Sequence, residues 1–531
     1  MRRRAPWACW AAASLLALGT LRCGSSMDDA SGDSPPYPNE EGYAGSGGTG
    51  AAGAAGAAGS GLPPEEELES SYRSPVATGR FVWVANPTSG RVAYVDAVTL
   101  EVQTVPAGHG PTYMAAVPDD TDDVALAINV GSSDASVLRR KPQAGLVAKN
   151  VPIHADANSW SVSSSGRWAV AWSDARQAKN AGVLDAFQDV TVVDLKEGEE
   201  QTRRMTVGYR PVAVAFASDE SAAFAVTQDG ISVIDLQASG APFVARLVPI
   251  SDDPLEDAGS RDVSITPDGS YALVRRDGEA RLTVVPLAGG ELVHVELSGP
   301  CTDLDLAPDG TMAVAVVRDT NEVALLPIPQ IAQYPTGFEV TQVSKLTVGS
   351  VSLAAEAPMG LLYSNVSHEQ RIAVLRYDQS PLGLQPMKLY GEVSSAMLAA
   401  NGSTGIVVHG GRKSFSALVL DPELPAKLIG SGGLITQVAI SADGARTVLA
   451  ARDDSKKAWE AFLVRGFTQQ VDLFELSSPP IAVGMVPSAN RAYVAQEHPE
   501  GRITFVDLDT GLARTLTGFE LAARVVDGSE P

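Results

Sequence analysis

Histidine is the side chain most often recruited for proton transfer and metal ligation near neutral pH, and this chain has six: His109, His154, His294, His368, His409 and His498. No two stand two, three or four residues apart, and the three cysteines, Cys9, Cys23 and Cys301, form no Cys-x-x-Cys. Zinc, copper and haem sites normally declare themselves by such spacings. The sequence therefore points to no metal and no cofactor. Two acidic runs, Asp119-Asp120-Thr121-Asp122-Asp123 and Ser251-Asp252-Asp253-Pro254, have the oxygen density for calcium. Neither follows a defined loop such as the EF-hand, and both read as solvated turns. Gly-x-Ser-x-Gly opening a helix, a phosphate-binding loop and a dinucleotide fingerprint are all missing. No catalytic residue is assigned.

Whatever chemistry exists must be positioned by a repeat. Phe81 to Thr104 reads FVWVANPTSGRVAYVDAVTLEVQT, and the same grammar returns as DVSITPDGSYALVRR, LDLAPDGTMAVAVVRDTNEVALLPI, VAISADGARTVLAARDD and RAYVAQEHPEGRITFVDLDTGLARTLT. Apolar and polar residues alternate with period two, which marks strands with two different faces. Asp268-Gly269, Asp309-Gly310 and Asp443-Gly444 supply the positive φ of a tight hairpin. Four such strands make one blade, and a repeat of roughly 40–45 residues is the signature of a β-propeller.

Inner strands are expected to start near Thr112, Ser159, Val212, Asp262, Thr302, Ser352, Ser394, Thr436 and Ala482. The first unit, from Phe81, shows no inner strand, while Phe519 to Gly528 (FELAARVVDG) reads as an inner strand with nothing after it. The fold expected is all-β: a single closed β-propeller of four-stranded antiparallel blades, about ten units, eight or nine being the alternative. The C-terminal strand is expected to complete the first blade and close the ring. Ser173 to Asp189 reads as an inserted loop.

The phrase VWVAN-x-x-SG-x-VAYVD-x-x-T, with Ala492-Tyr493-Val494-Ala495 and the following GRITFVDLDTG, resembles the YVTN family of β-propeller repeats found in bacterial and archaeal secreted and surface proteins. The middle units lose the Asn-Ser step after the second strand. The resemblance implies a fold and brings no catalytic residues, because propellers host unrelated activities.

The segment ahead of the repeat has a different character. Arg2-Arg3-Arg4, the apolar stretch Ala11 to Leu21 and Cys23 resemble a bacterial lipoprotein leader, in which the cysteine is lipidated; Thr20 and Arg22 depart from that family's preferences. Residues 24–75 include GGTGAAGAAGAAGSG and cannot bury enough apolar area to fold. They are expected to form a tether with an r.m.s. span of roughly 40 Å. The organisation read from sequence is thus a leader over 1–23, a tether over 24–75 and a propeller over 76–531. The expected location is the bacterial envelope, as an outer-membrane-anchored, periplasmic or cell-surface lipoprotein. A formal net charge of −23 argues against a nucleic-acid partner. Cys301, with no partner for a disulfide inside the repeat, reads as a buried apolar residue, and a monomer is expected.

Blade-to-blade connections and second-to-third hairpins must open on one face. That face is expected to carry His109, Tyr113, Trp160, Tyr209, Arg210, Arg261, Arg276, Arg318, Arg371, Arg412 and Arg452. The opposite face receives Asp96, Asp194, Glu197 to Glu200, Asp235, Asp268, Asp309, Asp421, Asp443, Asp507 and Asp509, and is expected to be acidic. The function expected is a binding or scaffold module for a protein, peptide or glycan, with the arginines contacting carboxylates. The alternative is a propeller enzyme (lyase, hydrolase or oxidoreductase) whose site gathers His109, Tyr113, Trp160, Tyr209, Arg210 and Arg261 at the central channel.

Overall fold

The computed structural model describes residues 75–118, 123–141, 145–174, 188–251, 256, 261–366, 368–421, 423–519 and 525–528. The leader, Cys23 and nearly all of the expected tether lie outside the described residues, as do residues 119–122, 252–254 and most of the inserted loop.

Ten antiparallel sheets form a ten-bladed β-propeller. Inner strands begin at Pro111, Ser159, Ala213, Arg261, Cys301, Ser350, Val393, Leu434 and Pro480, each within two residues of its expected start. The reason is local. In the fifth blade Arg261–Ile265 pairs with Tyr271–Arg276, from Arg261↔Arg276 to Ile265↔Ala272. Between them Asp268 accepts the Ser270 N–H (3.0 Å) and Gly269 sits at φ +68°. Second and third strands are buried on both faces, as in Met312–Val317 (MAVAVV) and Glu322–Pro327 (EVALLP). They therefore read as nearly continuous apolar runs, which is the pattern of a strand sandwiched on both sides. The cores lie between neighbouring blades: Phe224, Val226 and Val233 of the fourth pack with Ala272, Val274 and Val285 of the fifth.

The expected mode of closure is overturned. The first blade has its own inner strand, Val76–Thr78, paired as Val76↔Trp83 to Thr78↔Phe81. Three residues are too few to show a period-two pattern. What fixes this strand is tertiary, including a hydrogen bond from the Trp83 indole to Thr78 Oγ1 (2.6 Å). Val525–Gly528 lies instead at the outer edge of the tenth blade, as a fifth strand beside Ala513–Thr517. The ring closes through packing. Val82, Val84 and Val95 of the first blade share one core with Tyr493, Phe505, Leu516 and Phe519 of the tenth. Tyr493 Oη donates to the carbonyl of Pro75 (3.0 Å). Inner strands start, and second strands end, on what we call the connection face; the other is the hairpin face. This two-sidedness follows from strand order within each blade, so it survives the change in closure.

Candidate binding face

Each blade needs a polar peg where its second strand ends, because the backbone there turns away from the sheet while still buried. A hydroxyl at the third position of the third strand recurs as the partner. Asn129 Nδ2 donates to Ser136 Oγ (2.9 Å), Arg276 Nη1 to Thr283 Oγ1 (3.2 Å) and Gln496 Nε2 to Thr504 Oγ1 (2.7 Å), while His409 Nε2 meets Ser416 Oγ at 2.8 Å. In the third blade His154 Nδ1 meets Thr191 Oγ1 (2.9 Å), and in the fourth Ser232 Oγ accepts the Gly208 N–H (3.0 Å). In the seventh blade Ala373 stands at the hydroxyl position, and Ser364 Oγ, fully buried, is left without a partner.

With the pegs in place, the expected arginines sort into two groups. Arg261, 1% exposed, gives Nη1 to Glu256 (2.8 Å) and Nη2 to the carbonyls of Thr227 (2.8 Å) and Gln228 (2.7 Å). Arg276 binds the same Glu256 through Nε (2.6 Å). Arg371 pairs with Glu369 (2.8 Å), Arg452 with Asp454 (2.8 Å) and Glu497 (2.6 Å), and Arg412 donates to the Tyr390 carbonyl (2.9 Å). Arg210 and Arg318 differ. Their Nε atoms are buried with no acceptor, as is that of Arg261, but unlike Arg261 neither guanidinium has an ion pair among the described residues. Arg210 is also held at φ +54°.

The residues expected to meet at the channel do not form an acid–base set. Trp160 Nε1 donates to the Tyr113 carbonyl (3.2 Å), and the two side chains pack beside Ile128 and Ala171. His109 is exposed, held by its backbone N–H on Ser132 Oγ (2.9 Å). Tyr209 donates its N–H to Asp229 (2.6 Å) and is 38% exposed.

The channel wall carries groups that the sequence reading passed over. Asp303 and Asp305, two apart on the inner strand of the sixth blade, accept the N–H groups of Val351 (2.9 Å) and Leu353 (3.2 Å) from the seventh. Burial raises both carboxyls. Asp305, further raised by the charge of Asp303, is pushed up to about 7. Burial pushes His154 the other way, down to about 4, and lifts the Cys301 thiol to about 12, which leaves it inert.

Two opposite stability slopes follow. The folded chain keeps the Asp305 proton up to about pH 7 while the unfolded chain releases it near 4, so stability falls as pH rises through that window. His154 stays neutral in the fold while the unfolded chain binds a proton below about 6.5, so stability falls as pH drops from there to about 4. At about 1.4 kcal/mol per pH unit, each shift is on the order of 3 kcal/mol and the two are opposite in sign. The two nearly cancel. Denaturant midpoints measured from pH 4.5 to 7 should rise with pH in Asp305→Asn and fall with pH in His154→Gln. Parallel profiles in the two variants would remove both assignments.

The hairpin face is less acidic than expected, because its carboxylates have local cations. Asp96 pairs with Arg80, Asp194 with Arg167 (2.6 Å), Asp507 with Arg491 (2.5 Å), Glu197 with Lys141 (2.5 Å) and Glu200 with Lys149 (2.7 Å). Asp268 and Asp443 are hydrogen-bonded within their own turns.

Comparison with known proteins adds little. No family model matches the chain, and no curated protein is similar to it. Among solved structures, it is similar to dihydro-heme d1 dehydrogenase NirN in complex with DHE, at 12% identity and a TM-score of 0.44, over 78% of this chain and 81% of that one. A likeness of that size carries no argument about what this chain does.

Proposed function

We propose that this protein is a non-enzymatic binding module of the bacterial envelope, a ten-bladed ring presenting its connection face to a protein, peptide or glycan partner. The lipid on Cys23 and the flexible segment that follows would hold it at a membrane. One observation carries the reading: among the described residues neither Arg210 nor Arg318 has an ion pair on that face, while Arg261, Arg276, Arg371 and Arg452 are each paired with a carboxylate. Both side chains remain partly exposed, and an unpaired guanidinium can take a carboxylate or phosphate from a partner in bidentate fashion. Loops on a rigid scaffold are suited to recognition.

The test is cross-linking of the full chain in envelope extracts. A discrete cross-linked partner is expected with the wild type and is expected to disappear in Arg210→Glu with Arg318→Glu, with the melting temperature held within a few degrees. A partner that persists in the charge-reversed chain, or none at all, ends the reading. In parallel, Cys23→Ser is expected to move the protein from the membrane to the soluble fraction.

A further inference from the structure

We infer that the connection face of blades six to eight docks an acidic peptide segment of a partner protein, with carboxylates on Arg318 and Lys345 and an apolar side chain against Val366 and Tyr390. This rests on the binding-module reading and names the chemistry and the place.

Arg318 ends the second strand of the sixth blade and lies over Gly349, where a Cβ would fall 2.5 Å from its Nε. The glycine is therefore the floor that lets the guanidinium lie flat across the connection. Lys345 belongs to that same connection, exposed and at φ +73°. The corner is built by Asn321, whose side chain donates to the carbonyls of Val343 and Leu346 (2.7 Å) and accepts the Val348 N–H (2.8 Å). Two cations in one braced corner have no ion pair among the described residues. Asp319, next to Arg318 in sequence, is not paired with it. Glu369, the carboxylate on the neighbouring hairpin, is already taken by Arg371 (2.8 Å) and the Thr347 N–H (3.1 Å).

The next corner, between blades seven and eight, opens on the same face. Leu389 donates its N–H to the Gln370 carbonyl (2.8 Å), which ties the seventh blade's hairpin to the connection carrying Tyr390. Arg412 is fixed to the Tyr390 carbonyl, and Lys388 Nζ lies 5.8 Å from the Tyr390 ring centroid. Val366 is 67% exposed and Tyr390 53% exposed. Cations and apolar surface thus lie side by side on this face, with Glu369 held by Arg371 and the Glu392 carboxylate 2.8 Å from His368 Nδ1. A polymer with anions along its whole length would have to desolvate charge over Val366 and Tyr390, whereas a peptide can place a carboxylate and an apolar residue in turn. Arginine with aromatic anchors is also the composition of peptide-binding hot spots.

Selection of short random peptides displayed against the full-length protein tests this. Enriched sequences are expected to combine Asp or Glu with an aliphatic or aromatic residue. Fluorescence anisotropy of a labelled enriched peptide is expected to show affinity falling about tenfold or more in Arg318→Glu with Lys345→Glu. It should fall several-fold in Tyr390→Ser, and also as sodium chloride is raised. Arg318→Met with Lys345→Met serves if the charge-reversed chain melts early. No enrichment, or enrichment without acidic residues, overturns the proposal. Enriched peptides that bind the charge-reversed chain unchanged also overturn it, while leaving a binding module with its site elsewhere. A sulfated polysaccharide that binds as tightly and shows the same dependence on Arg318 and Lys345 would reassign the face to a polymer.

Discussion

Glu256→Ala is expected to lower the free energy of unfolding by about 3–5 kcal/mol, because it strands two buried guanidinium groups at once. Glu256 Oε2 lies 2.8 Å from Arg261 Nη1 and Oε1 lies 2.6 Å from Arg276 Nε; the arginine side chains are 1% and 13% exposed. Burial opposes ionisation of the carboxyl, yet hydrogen bonds from Arg276 and Ser251 and the charge of Arg261 hold it below its ordinary range. A depressed carboxyl contributes stability that is full above its unfolded value and is lost as pH falls through the folded one. The variant should therefore be most penalised near neutral pH and less so in acid. Glu256→Gln keeps the shape and removes the charge, so it should fall between wild type and Glu256→Ala. Adding Arg276→Ala to Glu256→Ala should cost less than the sum of the two single changes, since the pair shares one interaction. Guanidinium chloride unfolding at pH 7 measures all three. A loss under about 1 kcal/mol for Glu256→Ala would mean that the carboxylate does not clamp the two strands.

That clamp also shows where sequence reasoning stops. Arg261 and Arg276 look available in sequence because their immediate neighbours do not reveal their partner. Glu256 is five and twenty residues away, two residues past the acidic run Ser251–Pro254 that reads as a solvated turn. Which arginines are satisfied is decided by three-dimensional proximity, and nothing periodic encodes it. The hairpin face misled for the same reason: Lys149 reaches Glu200 from the neighbouring blade. The blade itself was legible because its determinants are local. Asp268-Gly269 sets the hairpin, alternation in VSIT marks the inner strand, and the apolar run YALV marks the second strand buried on both faces. Asp303 and Asp305 left a signal that could have been used, since two carboxylates in the inner-strand phrase CTDLDL need hydrogen-bond donors to be tolerated there. Lys345 left none, because only the fold brings its connection against Arg318.

Phe519→Ala is expected to cost about 3–5 kcal/mol, whereas ending the chain after Phe519 should cost only about 1–2 kcal/mol, the loss of one edge strand and the partial burial of Val526. The order matters more than either value. Phe519 is 1% exposed at the junction between the last and first blades, and its ring lies where a Cβ on Gly501 would fall, 2.4 Å away. Its removal leaves a cavity in the core that the last and first blades share and that closes the ring. Val525–Gly528 pairs with Thr517–Arg514 at the outer edge, far in register from the inner strand Val76–Thr78. Closure by an exchanged C-terminal strand would demand the reverse order, since truncation would then open the ring while Phe519→Ala merely loosened it. Tyr493→Phe supplies an independent check. It deletes the hydrogen bond to the Pro75 carbonyl while keeping the ring, and should cost about 1 kcal/mol. Equilibrium unfolding of the three variants, with hydrodynamic radius measured alongside, decides between the two geometries. A truncated chain that is less stable than Phe519→Ala, and expanded in solution, would show that the tail and not the packed seam holds the first blade to the last.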